Sequence, residues 1–298
     1  MTVTEYITDT FVDTYHPSLP LFTYVHSPYS RFDAQGKPLI LLLHGAGGDH
    51  HHFDDVFPLL IENGHYTMVA DIRYHGRSQP TDHHANPVFD FEVILQDLDR
   101  ALAWFRKRHG LTELPIVLGG ISMGGMIAQA YALRLLSAYK NSPVKIQAQI
   151  GIGCAHILIP DPAIPWLTLY KAASYEDTRI MIPAARQSIA DSANSRLGKA
   201  RSASSLCLVD DKTLFCCFRA CANALPTCTH ELSSIPQLLL RGESDLHTKD
   251  VMEAWYSNAT KTAQTKTVYQ VIPSAGHLVT MDKGYQTAEH IITFLTSQ

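Results

Sequence analysis

Short apolar runs recur along the chain, and each lies near a glycine or a proline. Residues 38–44 form a continuous apolar run closed by glycines, as expected for a strand that is buried on both faces. An alternating segment at 21–26 predicts a more exposed strand, antiparallel and near the sheet edge. Runs like the first predict further strands at 67–71, 114–121, 146–152, 235–241 and 267–272.

Helical patterns separate these strands. Residues 92–109 place Ile94, Leu98 and Leu102 on one side of a helix, because their spacing matches its period. Residues 123–139 repeat the pattern with an alanine-rich small face. Apolar strands that alternate with amphipathic helices predict an α/β protein, with a mostly parallel sheet and helices on both of its faces.

A long insertion interrupts this alternation. About eighty residues separate Cys154 from the next buried strand, whereas a typical connection has roughly 4 to 6 residues. Amphipathic pieces at 166–170, 179–189 and 214–225 predict several short helices there, with a loop at 202–205. We therefore expect a core domain made of residues 1–154 and 235–298, into which residues 155–234 insert as a helical cap.

Composition excludes several classes of function. The chain has 298 residues, 46% of them hydrophobic, which is enough for a large core. Lys and Arg number 24 against 28 Asp and Glu, and no basic run is present, so a nucleic-acid partner is not expected. The sequence shows neither an apolar run long enough to cross a bilayer nor the pattern of a signal peptide. These features predict a soluble, cytoplasmic protein without a membrane span.

Six cysteines and sixteen histidines raise the question of a metal site. The cysteines form no C-x-x-C pair, and we interpret them as reduced thiols in a core. The consecutive histidines at 50–52 would point in different directions on a helix, and they form no H-E-x-x-H motif. No metal site is therefore expected.

The segment Gly120-Ile121-Ser122-Met123-Gly124 matches G-x-S-x-G between a predicted strand and a predicted helix. In such a turn the serine has a strained backbone, and the small neighbours let other backbone segments approach it. The competing interpretation, the tight turn of a nucleotide-binding domain, requires G-x-G-x-x-G after the first strand, which is absent. Ser122 is therefore the candidate nucleophile.

A serine hydroxyl needs a histidine base, which in turn needs a carboxylate to orient it. His277 lies in a glycine-containing loop after the last predicted strand and is the candidate base. Asp245 follows the strand predicted at 235–241, where sites of parallel sheets collect, and is the candidate acid. Glu243 on the same loop is its rival, and Asp161 is a more remote alternative.

The oxyanion of a tetrahedral intermediate needs hydrogen-bond donors, which are usually backbone N–H groups. The turn at 44–48, HGAGG, follows the first buried strand and can direct its amides at the site. We expect the N–H groups of Ala46 and Met123 to bind the oxyanion, the latter at a helix N-terminus that favours negative charge. The alternative, a phosphate-binding loop, lacks the G-K-[ST] ending.

These motifs, together with the string DIRYHGRS at 71–78, resemble the α/β-hydrolase superfamily over nearly the whole chain. The resemblance is weakest at 155–234, where such enzymes differ most. It implies the α/β-hydrolase fold and the branch of esterases, lipases and C–C hydrolases, because haloalkane dehalogenases and epoxide hydrolases use an aspartate nucleophile. In related enzymes the string at 71–78 is a structural turn, so His75 and Arg77 are expected to be structural.

The expected function is that of a serine hydrolase that cleaves a carboxylic ester, a lactone or a thioester through an acyl-enzyme, without a cofactor. C–C bond hydrolysis, acyl transfer and a non-catalytic small-ligand receptor on the same fold are alternatives. The cap should form an apolar roof over a small hydrophobic or aromatic substrate. At the pocket mouth, the polar turn at 47–52 and residue 74 depart from the pattern of many relatives. The candidate substrate-binding residues are Tyr74, Trp166, Tyr170, Met181, Phe215 and Phe218.

Overall fold

A computed structural model describes residues 7–27, 37–81, 87–138, 142–155, 165–224, 232–262 and 265–298. In this part of the chain one sheet has eight strands in the order β1-β2-β4-β3-β5-β6-β7-β8. The strands are β1 (Ile7–Asp13), β2 (Leu21–Ser27), β3 (Leu39–Leu43), β4 (Thr67–Ala70), β5 (Leu114–Ile121), β6 (Val144–Ile152), β7 (Gln237–Gly242) and β8 (Thr267–Ile272).

Six of these strands, β3 to β8, run parallel to one another. β2 pairs antiparallel with β4, and β1 pairs antiparallel with β2. The helices are α1 (Phe57–Glu62), α2 (Phe91–His109), α3 (Met123–Ser137), α4 (Pro165–Ala172), α5 (Tyr175–Thr178), α6 (Ile182–Asp191), α7 (Arg196–Leu206), α8 (Asp211–Asn223), α9 (Lys249–Thr262), α10 (Val279–Asp282) and α11 (Gly284–Thr296). The predicted α/β architecture with a mostly parallel sheet is confirmed.

Strand β3 shows why helices cover both faces of the sheet. All five of its residues are fully buried, and they alternate between two apolar clusters. Leu41 belongs to the cluster that includes α2 and α3, whereas Ile40 and Leu42 belong to the cluster that includes α1 and α11. Because successive side chains of a strand point to opposite faces, a continuous apolar run fits a strand with a helical layer on each side.

Strand β1 was missed by the sequence analysis, and β2 lies near the edge as predicted but is mostly buried, not exposed. β1 forms the edge and β2 is the second strand, antiparallel as predicted. Polar residues obscure the strand pattern of β1 in the sequence. Two of them, Asp9 and Asp13, form ion pairs with Arg108 and Arg100 of α2. A strand at an edge can carry such charged residues because one of its sides lacks a neighbouring strand.

The prediction of a loop at 202–205 was wrong, because these residues belong to α7. Ser195 begins this helix by accepting a hydrogen bond from the N–H of Gly198. Ser202 and Ser205 are buried within it, so tertiary packing outweighs the loop preference of a serine-rich string. Among the described helices, none is long and apolar enough to cross a bilayer.

Candidate active site

Ser122 lies in the turn between β5 and α3 with a backbone φ of 54° and ψ of −122°. L residues rarely adopt a positive φ, so this turn is strained. Its N–H donates to the carbonyl oxygen of Ile152 at 2.9 Å, and α3 begins at the next residue. The strained turn therefore holds the serine at the carboxyl edge of the sheet, between a fixed strand and a fixed helix.

The glycines of the G-x-S-x-G motif lie where a side chain would not fit. A Cβ on Gly120 would be 2.3 Å from the backbone carbonyl carbon of Gly124. A Cβ on Gly124 would be 2.1 Å from the carbonyl oxygen of Leu43. Gly45, on the loop after β3, faces the serine itself, because a Cβ there would be 3.2 Å from the Cβ of Ser122. The start of α3 is thus in close contact with the ends of β3 and β5.

The Nδ1 atom of His277 lies 2.9 Å from Oδ2 of Asp245, whose side chain is fully buried. Oδ1 of Asp245 accepts hydrogen bonds from the backbone N–H groups of His247 and Thr248, and Oδ2 accepts one from the Thr248 hydroxyl at 2.6 Å. Burial raises the pKa of Asp245, but the charge of His277 and these hydrogen bonds outweigh it and lower the pKa to about 2. The ionised carboxylate therefore keeps a proton on Nδ1 of His277.

Glu243, the other candidate for the acid, bonds to a different residue. Its Oε2 accepts a hydrogen bond from the backbone N–H of Ser274 at 2.9 Å, so it ties the two loops together at the surface. The guanidinium of Arg241 donates to the carbonyl oxygens of Glu243 and Asp245 and fixes the loop between them. The structure thus pairs Asp245 with His277, while Asp161 lies outside the described residues.

Two buried histidines hold the backbone of the loop at 44–48. His44 donates from Nδ1 to the carbonyl oxygen of Gly45, and its Nε2 accepts the N–H of Ile72 at 3.0 Å. The Nε2 of His75 accepts the N–H of Gly47 at 3.1 Å. Burial lowers the pKa of both imidazoles, which keeps them neutral and able to accept these bonds. His75 therefore has a structural contact, as expected.

The string at 71–78 is organised by the buried carboxylate of Asp71. Its Oδ1 accepts hydrogen bonds from the backbone N–H and the Nδ1 of His50, and its Oδ2 accepts the N–H of Arg77. Gly76 has a φ of 50°, and a Cβ there would lie 2.5 Å from the Asp71 carboxylate. The guanidinium of Arg77 stacks over the ring of Phe22 at 4.3 Å, which is also a structural contact.

A cavity of about 570 Å³ is lined by both Ser122 and His277. Ala46 and Met123, the predicted oxyanion donors, line the same cavity. Most of the wall is apolar, and no Asp, Glu, Lys or Arg of the described residues lines it. Its polar side chains, apart from the serine and the histidine already named, are His52, Tyr170, Ser188, Ser192, His247 and Thr248.

Tyr170, Met181 and Phe218, three of the candidate substrate-binding residues, line this cavity. They come from the helices between β6 and β7 or from the turn before α6, so this part of the chain covers the end of the sheet. The side chain of Trp166 lies outside the described part of the structure.

Tyr74 and Phe215 do not line the cavity, which corrects their assignment as substrate-binding residues. The hydroxyl of Tyr74 accepts the N–H of Val88 at 3.0 Å, and its ring is buried in the core. Phe215 packs on the rings of Tyr170 and Tyr175. Both aromatic residues therefore stabilise the protein interior behind the cavity wall.

The geometry agrees with a comparison of the chain with known families. The family model described as serine aminopeptidase, S33, matches residues 34–284. The chain belongs to this family of α/β hydrolases.

Solved structures share the fold of this S33-family chain. A thermophilic esterase from Thermogutta terrifontis superimposes with a TM-score of 0.70 at 18% identity, over 98% of each chain. The 2-hydroxy-6-oxo-6-phenylhexa-2,4-dienoate hydrolase from Rhodococcus sp. strain RHA1 gives a TM-score of 0.66 at 17% identity, over 98% of this chain and 99% of that one. The α/β-hydrolase fold expected from the sequence is thereby confirmed.

Curated relatives of this S33-family chain match over a shorter range. The proline iminopeptidase PfmaB of Pestalotiopsis fici is 35% identical over 104 residues, which is 35% of this chain and 34% of that protein. An AB hydrolase superfamily protein of Gibberella zeae is 38% identical over 97 residues, which is 33% of this chain and 31% of that protein. The chain thus matches about a third of the length of these relatives.

Two cysteines and a histidine are among the cavity residues of this S33-family hydrolase that the sequence analysis missed. Cys221 lies three residues after Phe218 on α8, so helical spacing would have placed it on the same face. Cys154 follows β6 directly, at the strand end where sites collect. His52 is one of the three consecutive histidines for which the sequence analysis expected no metal site. The five described cysteines are free thiols, and four of them are buried, as predicted.

Proposed function

We propose that this α/β hydrolase cleaves uncharged carboxylic esters with a hydrophobic portion, through an acyl-enzyme on Ser122. The observation that carries the proposal is the shared cavity: the strained Ser122 and the Asp245-bound His277 open into one apolar space. In this proposal residues 155–234 form the cap, and Tyr170, Met181 and Phe218 contribute to its roof.

Each residue then has a defined part in the reaction. Asp245 keeps the proton on Nδ1 of His277, so Nε2 accepts the Ser122 hydroxyl proton while Oγ attacks the ester carbonyl carbon. The N–H groups of Ala46 and Met123 stabilise the negative charge that develops on the carbonyl oxygen. His277 returns the proton to the departing alcohol, and a water molecule activated by the same imidazole releases the acid from Ser122.

The cavity wall favours an ester over the N-terminal amine implied by the family's description. An aminopeptidase has to hold a positively charged ammonium, and burying that charge without a partner is costly. Nothing acidic lines the cavity in the described ranges, and the wall is mostly aliphatic, aromatic and thiol groups. We therefore infer that the preferred substrate is neutral near the reacting bond.

A substrate panel tests this proposal. Wild type and Ser122→Ala are assayed on p-nitrophenyl acetate, butyrate and octanoate, a lactone, a thioester and prolyl and alanyl p-nitroanilides. We expect the wild type to hydrolyse the p-nitrophenyl esters fastest, and Ser122→Ala to lose roughly 10⁴- to 10⁶-fold in kcat. Faster turnover of the anilides would support an aminopeptidase instead. Full activity of Ser122→Ala, or fluorophosphonate labelling at another serine, would remove Ser122 from the mechanism.

A further inference from the structure

Three consecutive histidines on one short turn have three different surroundings. Residues 50–53 form a 3₁₀ turn, in which successive side chains point about 120° apart. The imidazole of His50 bonds to the buried Asp71 at 2.9 Å, and that of His51 bonds to Asp54 at the surface at 2.9 Å. The third, His52, is 2% exposed and lines the cavity that contains Ser122.

The imidazole of His52 is fixed in place but incompletely bonded. Its ring packs against the backbone of Gly48, where a Cβ would be only 2.3 Å from Nε2. Its buried Nδ1 has no hydrogen-bond partner in the described part of the chain. Buried polar groups of proteins are almost always bonded, and among the unmatched side-chain atoms of the described residues this one alone belongs to a residue that lines the cavity.

His52 is also close to the reacting groups. Burial lowers its pKa to about 3, and the neighbouring imidazoles of His277 and His75 contribute to that shift, so the ring is neutral at ordinary pH. Gly48, which it contacts, is on the same loop as Ala46. Because His52 lines the same cavity as Ser122 and His277, a substrate whose ester carbonyl is bound between Ala46 and His277 can also contact His52.

We propose that His52 is a specificity-determining residue that hydrogen-bonds a neutral oxygen, a hydroxyl or a carbonyl, a few bonds from the scissile ester carbonyl. This inference rests on the proposed esterase function. In a mostly apolar pocket, a few polar groups set the orientation of the substrate, and a site built to bond an oxygen discriminates against the analogue that lacks it. A neutral imidazole offers one donor and one acceptor, which suits a hydroxyl or a carbonyl and not an ion.

The test compares esters that differ by one oxygen. The acyl arm pairs p-nitrophenyl butyrate with p-nitrophenyl 3-hydroxybutyrate and 3-oxobutyrate, and the alcohol arm pairs ethyl butyrate with the butyrate monoester of ethylene glycol. Wild type, His52→Leu, His52→Gln and the surface control His51→Gln are measured for kcat and KM on each ester. Thermal unfolding and fluorophosphonate labelling of Ser122 show that each variant is folded and has a reactive serine.

We expect the wild type to prefer the oxygenated ester of one arm by at least tenfold in kcat/KM. His52→Leu should bring that ratio close to one, His52→Gln should restore part of it, and His51→Gln should keep it. The responding arm assigns the oxygen to the acyl or to the alcohol side. A wild type without preference in either arm, or a preference that persists in folded His52→Leu, would overturn the role of His52 while leaving the esterase proposal intact. A wild type that cleaves none of the esters would overturn both.

Discussion

The backbone N–H of His277 donates a hydrogen bond of 2.8 Å to the carbonyl oxygen of Ser192. Ser192 ends α6 and lines the cavity. The loop that carries the imidazole is therefore bonded directly to the helical segment at the end of α6. Asp282 adds a second link, because its Oδ2 accepts the N–H groups of both Asn194 and Gly276. The position of the imidazole therefore depends on the position of this helical segment.

Replacing Gly276 with alanine should disturb this link. The new Cβ would lie 2.2 Å from the carbonyl oxygen of Ser192, so the loop and the helical segment must separate. A displacement of about 1 Å at a catalytic group lowers rates by roughly 10²-fold, and we expect that loss in kcat. Ester hydrolysis and the rate of fluorophosphonate labelling measure it.

Gly110→Ala is the matched control for that variant. Gly110 has a φ of 64° with nothing within 4 Å of the added Cβ, and it lies between α2 and the start of β5, whereas Ser122 follows the other end of that strand. Alanine there should reduce stability by about 1 kcal/mol through backbone strain and leave kcat unchanged. Equal kcat in Gly276→Ala and Gly110→Ala would show that the Ser192 contact does not position the imidazole.

Two conservative substitutions distinguish the two carboxylates of the loop after β7. Asp245→Asn keeps the shape of the side chain but cannot hold the proton on Nδ1 of His277, so kcat should fall by up to roughly 10⁴-fold. Glu243→Gln retains an oxygen that can accept the N–H of Ser274, and we expect a change of less than about threefold. Steady-state kinetics on one p-nitrophenyl ester measure both. The opposite order would transfer the role of the acid to Glu243.

Stability should fall steeply in mild acid, because several histidines are buried in the neutral form. Burial lowers the pKa of His26 and His65 to about 4 and that of His52 to about 3, from an ordinary value of 6.5. Between pH 6.5 and 4 the unfolded chain therefore binds more protons than the folded one, and the free energy of unfolding falls as the pH falls. Each histidine contributes up to about 1.4 kcal/mol per pH unit in this window.

Asp245 extends the loss to lower pH. Its pKa in the folded protein is lowered to about 2, so its contribution to the free energy of unfolding is complete above the ordinary value of 3.8 and is lost as the pH falls towards 2.

Urea unfolding at half-unit steps from pH 7.5 to 4 measures the combined histidine effect. A constant midpoint across that range would show that these histidines are protonated in the folded protein.

The thiols of the cavity wall should be unreactive. Burial raises the pKa of Cys154 and Cys221 to about 12, and the thiolate is the form that attacks alkylating reagents. At pH 7.5 iodoacetamide should modify the exposed Cys207 first and leave ester hydrolysis unchanged. Peptide mass mapping over time gives the order. Early labelling of Cys221 with loss of activity would show that the wall opens readily.

The parallel strands were predictable because burial on two faces leaves an uninterrupted apolar run, as in β3. β1 was not predictable, since the partners of its acidic residues, Arg100 and Arg108, are distant in the sequence and adjacent only in the fold. The same holds for α7, whose serines are buried by packing that no local pattern records. Secondary structure can therefore be predicted from the sequence where a residue's environment depends on its own neighbours in the chain.

The candidate site, too, was predictable from the sequence only in part. Ser122, Asp245 and His277 follow strand ends in a fixed order, and the structure brings Asp245 to His277 and places Ser122 in the same cavity as His277. The cavity wall depends on which face of each inserted helix turns inward, and there the sequence misplaced Tyr74 and Phe215 and missed His52. Residue type alone does not separate an aromatic residue in the wall from one behind it.

The uncharged wall of the cavity also determines how this protein meets its substrate. In the ranges that the structure describes, the wall has no acidic or basic side chain other than histidine, so the wall itself offers no charged partner to a charged molecule. Encounter then depends on diffusion and on the release of water from apolar surfaces, which carries a negative change in heat capacity. If the substrate is the proposed ester, its capture should consequently respond weakly to ionic strength and strongly to temperature.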